Sequence, residues 1–341
     1  MSHATVCRDT HLNRDVIVKE LQAGQEQRRL IDEITALGAV RSKHVVQIYD
    51  VVRDHHGDVV GIVEEYIPGA DLESLLPIVD AARFLRISYG IACGIADIHA
   101  VNVVHRDIKP NNIKFDAEDC PKIFDFGLAR DNSSGDAATQ GAIGTPGYMP
   151  PEICVDPHEQ AALNHAVDLY AFGATLLKML RGNIPQQLRR LPPIHPCPDA
   201  DFERQTLAIP GRIAALANAC LSPSPSDRPL MSEVRDAIGA ELLRDGHRAT
   251  FVFNGQVHVL SATRRAVIIT IPNKGVARVS YDGLQFSIEP TSGDVYVNNV
   301  QVLVGGSRIL PGSCVLTFGG PALAWSRKHI PLDVSHPEVV L

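Results

Sequence analysis

The most constraining stretch of the 341-residue chain is His105-Arg106-Asp107-Ile108-Lys109-Pro110-Asn111-Asn112-Ile113. Eighteen residues after Asp107 comes Asp125-Phe126-Gly127. Together they set two carboxylates, an amide oxygen and a lysine at fixed spacing. Asp107 suits a base beside a reacting hydroxyl, and Lys109 a cation on a group in transfer. Asn112 and Asp125 offer the hard oxygen donors that Mg2+ prefers. The plainer reading of the first run is a turn rich in Asn, Asp and Pro. A chance match at both motifs with this gap is very unfavourable odds.

The pattern H-R-D-x-K-x-x-N followed by D-F-G resembles the protein-kinase signature. Over about residues 1–243 the chain resembles the bacterial eukaryotic-like (Hanks-type) serine/threonine protein kinases. The resemblance implies an α+β, bilobal protein-kinase fold, with an N-lobe over residues 1–67 and a C-lobe over 68–243. It implies transfer of the γ-phosphoryl of ATP, with Mg2+, to protein Ser or Thr hydroxyls. Such a transfer needs a carboxylate at the attacking hydroxyl, cations on the phosphoryl and metal ions bridging the phosphates. Asp107 then orients the hydroxyl, Lys109 stabilises the phosphoryl, and Asn112 and Asp125 carry the metal. Lys19, in Val16-Ile17-Val18-Lys19, takes the phosphate-binding place on the third strand, and Glu33 its partner on the following helix.

The N-terminus departs from that pattern. Thr5 to Asp9 reads as the second strand and Leu12 to Asp15 as the turn into the third, which leaves Met1-Ser2 near the end of a glycine-rich loop. The first strand and the loop's glycines have no counterpart. Two readings stand: a start placed late, within that loop, or a short kinase without a phosphate cover. Residues 25–40 are expected to be a helix, with Leu30, Ile34 and Leu37 on its apolar face. Residues 45–52 and 59–66 read as strands around His55-His56-Gly57-Asp58.

Glu64-Glu65-Tyr66-Ile67 resembles the hinge, where the backbone of Glu65 and Ile67 would meet the adenine edge. Three pocket positions depart from the family. Ile17 stands where Ala is usual, and Ala4 where Val is usual. Lys114 stands where an apolar residue lies beneath the base, and Glu64 holds the normally apolar or Thr position at the rear. Buried charges need partners, so Lys114 and Glu64 are expected to pair. The alternative sends Lys114 to solvent and Glu64 to Lys19 or water.

Arg106 is expected to collect a phosphate on the segment between Asp125 and Glu152, with Ser133, Ser134 and Thr139 as candidate acceptors. Thr145 should touch Asp107 and Lys109, a serine/threonine pattern rather than a tyrosine one. Glu152 is expected to pair with Arg228, and Asp168, opening the apolar helix Leu169 to Leu180, to brace the catalytic loop. Residues 182–210 read as irregular.

Composition changes near Asp245. From Thr250 to about Ile330 short alternating segments suggest an all-β sandwich over residues 251–331, with 244–250 as linker and 332–341 as tail. Val297-Asn298-Asn299 and Leu310-Pro311-Gly312-Ser313 are weakly similar to forkhead-associated (FHA) domains, which bind phosphothreonine. The expected Ser and His of the binding loops are Asn273 and Val276. A phosphopeptide or docking partner is the expectation there. A net charge of −7 argues against nucleic acid as a general partner. No apolar run approaches the roughly 20 residues that span a bilayer. The N-terminus lacks a secretory pattern, and seven dispersed cysteines suit a reducing, cytoplasmic compartment. A rival reading remains open: a pseudokinase scaffold whose sandwich does the binding.

Overall fold

A computed structural model describes residues 3–20, 34–126, 130–131, 144–154, 164–335 and 337–339. Glu33, Ser133, Ser134 and Thr139 lie outside the described residues. The chain divides into two compact units, Met1–Ile238 and Gly239–Val340.

The first unit opens on an antiparallel sheet of four strands: β1 (His3–Asp9), β2 (Arg14–Glu20), β3 (Ile48–Arg53) and β4 (Val59–Glu65), in the order β1-β2-β4-β3. The β1–β2 hairpin is gapless from His3↔Glu20 to Asp9↔Arg14, as the sequence predicts for its second and third strands. Strand β3 starts later than expected. Val45 instead forms a parallel bridge with Ile123, and the Val46 N–H donates to the Ile123 carbonyl at 2.9 Å. Of the expected helix over 25–40, residues 34–39 are described and helical, with Ala36 and Leu37 buried.

Helix α1 (Ala81–Ala100) follows, its first turn closed by Asp80, whose carboxylate accepts from the Arg83 N–H. Phe84, Ile87, Ile91, Ile95 and Ile98 are all buried, which makes the recurring apolar stripe core. Short strands β5 (Val103–Val104), β6 (Ile113–Phe115), β7 (Pro121–Ile123) and β8 (Arg130–Asp131) follow, with β5 paired to β8 and β6 to β7. Helix α2 (Ala166–Arg181) is nearly all buried and ends at Gly182, whose φ of 74° permits the left-handed C-terminal turn. Two 3-10 turns interrupt residues 182–210, and helices α3 (Gly211–Cys220) and α4 (Met231–Leu242) close the helical part.

The second unit is all-β. One sheet orders β10 (Gln256–Leu260), β9 (Ala249–Phe253), β18 (Lys328–Val334), β17 (Cys314–Phe318), β14 (Val295–Val297) and β15 (Val300–Val302). The other orders β11 (Ala266–Ile271), β12 (Gly275–Tyr281), β13 (Phe286–Gly293) and β16 (Arg308–Ile309). A single core takes Phe251, Leu316 and Ile330 from the first sheet and Ile269, Val279 and Ile288 from the second, so the two sheets pack face to face. Asn254-Gly255 (φ 48° and 73°) and Asn298-Asn299 (φ 48° and 66°) both hold two positive φ values. They are the two-residue turns that match strand twist.

Two boundaries differ from the sequence reading. Ala249, expected in the linker, is fully buried in β9. Leu332 and Val334, expected in the tail, are inward-facing residues of β18. In both cases alternation with inward apolar residues runs past the point where composition changes.

Candidate active site

The site is built on the loop between β5 and β6. Pro110 opens the 3-10 turn Pro110–Asn112, its fixed φ suited to a first helical position. That turn folds Asn112 back onto Asp107. Asn112 Nδ2 donates to the Asp107 carbonyl and to Oδ2, both at 2.9 Å. Lys109 Nζ donates to Asp107 Oδ2 at 2.6 Å and to Thr145 Oγ1 at 2.9 Å. Thr145 Oγ1 donates to Asp107 Oδ1 at 2.9 Å. The expected contact of Thr145 with both Asp107 and Lys109 is therefore present. Every oxygen of the Asp107 carboxylate is aimed by a donor, so the group has one orientation.

The loop backbone is pinned from behind. Asp168 is fully buried. Its Oδ2 accepts from the His105 N–H at 2.9 Å and from His99 Nε2 at 3.0 Å, and its Oδ1 from the Arg106 N–H at 2.8 Å. Burial alone would push this carboxyl up; the His99 hydrogen bond and charge, with His105, outweigh it and hold the group below the ordinary carboxylate range. Asp168 braces the catalytic loop as expected. Burial drives His105 the other way, below the ordinary imidazole range. Its ring lies edge-on to the buried Phe126 at 4.6 Å, and its Nε2 is 3.3 Å from the Phe124 carbonyl. Both flanks of Asp125 are thus fixed, and Asp125 itself sits at φ 66°, a backbone region that few non-glycine residues adopt. Its side chain is exposed.

The residues fit a hard divalent cation. The amide nitrogen of Asn112 is committed to Asp107, which leaves its oxygen as the donor atom for a metal. Asp125 has no hydrogen-bond or ion-pair partner among the described residues. Among those residues no cluster of three or more His, Cys, Asp or Glu could cage a metal alone; Mg2+ commonly uses one or two protein oxygens plus phosphate and water.

On the four-stranded sheet, strand register decides which side chains meet. Ile17 faces Glu64, and Lys19 faces Ile62 on β4 and Ala4 on β1. Ala4, Ile17, Lys19 and Glu64 therefore share one face of the sheet. Val6, opposite Ile17 and 57% exposed, belongs to that face as well; the sequence reading missed it, although it lies one alternation from Ala4. Glu64 is 3% exposed and meets Lys19, with Nζ 3.3 Å from Oε2.

The expected Lys114–Glu64 pair does not form. Lys114 lies between the buried Ile113 and Phe115 of β6 and points to the opposite face, with Nζ 5.7 Å from the Phe124 ring centre. The cation behind the hinge is Lys122, whose Nζ is 2.9 Å from Glu65 Oε1. Lys122 stands directly across from Lys114 in the β6–β7 ladder, but it pairs with Glu65, while Glu64 meets Lys19 as the alternative reading has it. The Glu65 N–H donates to the Gln47 carbonyl at 2.8 Å, so that donor is engaged within the chain. His99 was also missed; nothing in its spacing marks it.

The expected Glu152–Arg228 pair is bidentate, at 2.6 and 2.9 Å. Arg228 Nε also donates to the Ser222 carbonyl and Nη1 to that of Ala166. With its side chain 0% exposed, this pair holds the fold.

A family model described as "Protein kinase domain" matches residues 1–237. The chain is similar to a probable leucine-rich repeat receptor-like serine/threonine-protein kinase of Arabidopsis thaliana, 31% identical over 253 residues, covering 64% of this chain and 24% of the relative. It is similar to a probable serine/threonine-protein kinase of Arabidopsis thaliana, 28% identical over 252 residues, covering 65% and 63%. It is similar to an EPD1-interacting receptor-like cytoplasmic serine/threonine-protein kinase of Nicotiana benthamiana, 29% identical over 244 residues, covering 63% and 51%. The chain spans less than two thirds of the length of each of these relatives.

Proposed function

The chain belongs to the protein kinase family, and we propose that it transfers the γ-phosphoryl group of ATP to Ser or Thr hydroxyls of protein substrates. One observation carries this reading: Asp107, Lys109, Asn112 and Thr145 form a single hydrogen-bonded cluster that aims one carboxylate. Asp107 accepts the proton of the incoming hydroxyl. Lys109, already beside Asp107, offers its ammonium to the phosphoryl oxygens. Asn112 and Asp125 would hold Mg2+, which supplies charge neutralisation across the phosphates. Lys19 meets the anionic part of the nucleotide. The Ile67 N–H and the Glu65 carbonyl would meet the base edge, with Ala4, Val6 and Ile17 above it. Glu33 keeps the role of helix partner to Lys19 as a proposal, since it lies outside the described residues. The sheet and the helical part are read as the two lobes of a bilobal kinase.

The Lys109–Thr145 contact supports hydroxyls of Ser and Thr over Tyr. A preference of this kind is tested by incubating the chain with labelled ATP, Mg2+ and a mixed protein acceptor, followed by acid hydrolysis. Label on phosphoserine and phosphothreonine, lost in Asp107→Asn, is the expected outcome. Equal label from both proteins contradicts the enzyme reading and leaves the scaffold alternative, which the buried Glu64 at the rear of the cleft favours.

The second unit is read as an FHA-like sandwich with a docking role. Its paired sheets and shared core support the sandwich. Asn273 lies in the β11–β12 turn at φ 59° and Val276 within β12. Neither supplies the Ser or His that phosphothreonine binding would use, so a docking partner without phosphate is the better-supported reading. Among the described residues no helix is long and apolar enough to cross a membrane.

A further inference from the structure

Three connections meet at one end of the second unit, and strand register places them. The Gly319 N–H, just past β17, donates to the Asp294 carbonyl at 2.8 Å. Leu303 continues β15 one residue beyond the Val302↔Val295 pair, on the other side of β14. Neighbouring strands lie about 4.8 Å apart, so the loops after β15 and β17 leave the sheet roughly 10 Å from each other. The β11–β12 turn joins them, because the Asp294 N–H donates to the Lys274 carbonyl at 3.2 Å.

The tips of these loops are apolar and open to water. Leu303 and Val304 are 71% and 57% exposed, Leu323 40% and Trp325 95%. Trp325 stands in the 3-10 turn Pro321–Ser326, which is broken at Ala324 (φ 42°, ψ −121°), a backbone region that few residues with a Cβ adopt. The two sides of the break behave differently. Gly319 lies at φ 101°, and a Cβ there would meet Leu323 Cδ1 at 2.8 Å and the Lys274 stem at 3.6 Å. Leu323 and Lys274 therefore close over Gly319, whereas Trp325 projects. A bare indole among other exposed apolar side chains marks an interaction surface.

Charge decides the kind of partner. Lys274, Arg327 and Lys328 stand at this end, and none of them forms an ion pair among the described residues. Arg327 lies over the Tyr296 ring and donates to the Gly319 carbonyl at 3.0 Å. Asp294, the carboxylate of these loops, accepts from Gln301 Nε2 at 3.0 Å. The end is a set of projecting apolar tips flanked by cations. Side chains this exposed project from the surface rather than line a peptide groove. A second copy of the chain would set the same cations against each other. An anionic lipid surface satisfies both features: the tips enter the boundary between headgroups and acyl chains, where tryptophan is favoured, and the cations meet the headgroup charge. With a net charge of −7 over the chain, binding requires this end to face the lipid.

We propose that the end of the second unit bearing Leu303, Val304, Leu323 and Trp325 docks onto anionic lipid surfaces. This gives an occupant to the docking role read above for that unit, and it rests on that reading. What is recognised is surface charge over an apolar interior, not a single phosphate group.

Trp325 is the sole tryptophan, so its emission reports this end alone. The test uses the full chain with vesicles of phosphatidylcholine and vesicles of phosphatidylcholine mixed equally with phosphatidylserine, read by cosedimentation and by tryptophan emission. The variants are Trp325→Ala and Lys274→Gln/Lys328→Gln, with melting temperatures to show that each is folded. Wild type should sediment with the anionic vesicles, shift its emission to the blue, and bind the neutral vesicles about tenfold more weakly or worse. Trp325→Ala should weaken binding about tenfold, the effect of one large apolar side chain left unburied. The lysine variant should weaken it about thirtyfold, at about fivefold for each lysine, and added salt should act in the same direction. Binding without a shift in emission, or Trp325→Ala bound as tightly as wild type, overturns the proposal. So does emission already shifted to the blue without vesicles in a protein of dimeric mass, which assigns this end to a second copy. Failure to sediment, with the emission of an exposed indole, overturns the lipid surface and leaves the docking reading to a protein partner. Blue-shifted emission in a monomer without vesicles shows the end covered by the chain itself and overturns both readings.

Discussion

Replacing Asp168 should damage catalysis from a distance, because its carboxylate carries the backbone on which Asp107 sits. Three donors converge on it: His99 Nε2 at 3.0 Å, the His105 N–H at 2.9 Å and the Arg106 N–H at 2.8 Å. Asp168→Ala orphans the buried His105 N–H and the half-buried Arg106 N–H, at about 1–3 kcal/mol each, and removes the anion beside His99. A total of about 3–5 kcal/mol is expected, the range for breaking one side of a buried ionic network. For a unit of this size that is a fall in melting temperature of about 6–20 °C. Asp168→Asn keeps one acceptor but sets an amide donor against donors, so a loss of about 1–3 kcal/mol is expected. Because Arg106 adjoins Asp107, a shift of about 1 Å in this backbone should lower kcat about a hundredfold in either variant. The linkage has a definite sign. Asp168 titrates below the ordinary carboxylate value in the folded chain, so its stabilising contribution is complete above the unfolded pKa of about 3.9 and is lost as pH falls through the folded value. The acid limb of a stability–pH profile should therefore flatten in Asp168→Ala. The assay is a melting series from pH 7 to pH 2 that follows the transition of the first unit, beside phosphoryl-transfer rates at pH 7. A variant with wild-type melting temperature and wild-type kcat refutes the reasoning.

Three further outcomes are expected. Arg228→Ala should destabilise the first unit by about 3–5 kcal/mol, read by urea unfolding, since it strands Glu152 and empties three carbonyl or carboxylate partners at once. Burial holds His44, His105, His165 and His195 below the ordinary imidazole range; the unfolded chain therefore takes up protons first, and stability should fall as pH drops below about 6.5, measurable as a decline in melting temperature between pH 7 and pH 5. Thr145→Ala removes one donor to Asp107 and one acceptor of Lys109; it should lower kcat by about tenfold with little change in ATP affinity, in steady-state assays at varied ATP.

The hydrogen-bonded cluster around Asp107 was legible in the sequence because its members lie within short spans. Asp107, Lys109 and Asn112 share one loop, so spacing alone brings them near one another. Asp168, Glu152 and Arg228 were also placed correctly, since the family resemblance fixed their roles. The residues proposed to meet the nucleotide were less legible. Which of Lys19, Lys114 and Lys122 meets Glu64 or Glu65 depends on strand register, and register is a long-range property that a single sequence carries weakly. In the second unit seven strands were readable from alternation. Strands β15 and β16, of three and two residues, are too short to show a period, and β18 opens on exposed Lys328 and His329 and carries a proline, Pro331, that reads against a strand in the sequence.

The central claim is that the loop from His105 to Asn112 performs transfer while other parts bind the nucleotide. Its most direct test is Asp107→Asn, an isosteric change that keeps an acceptor for Thr145, assayed for both MgATP affinity and single-turnover phosphoryl transfer. The account predicts affinity within about threefold of wild type and a transfer rate reduced at least a hundredfold, in line with loss of a general base. A variant that transfers phosphate at the wild-type rate would contradict it.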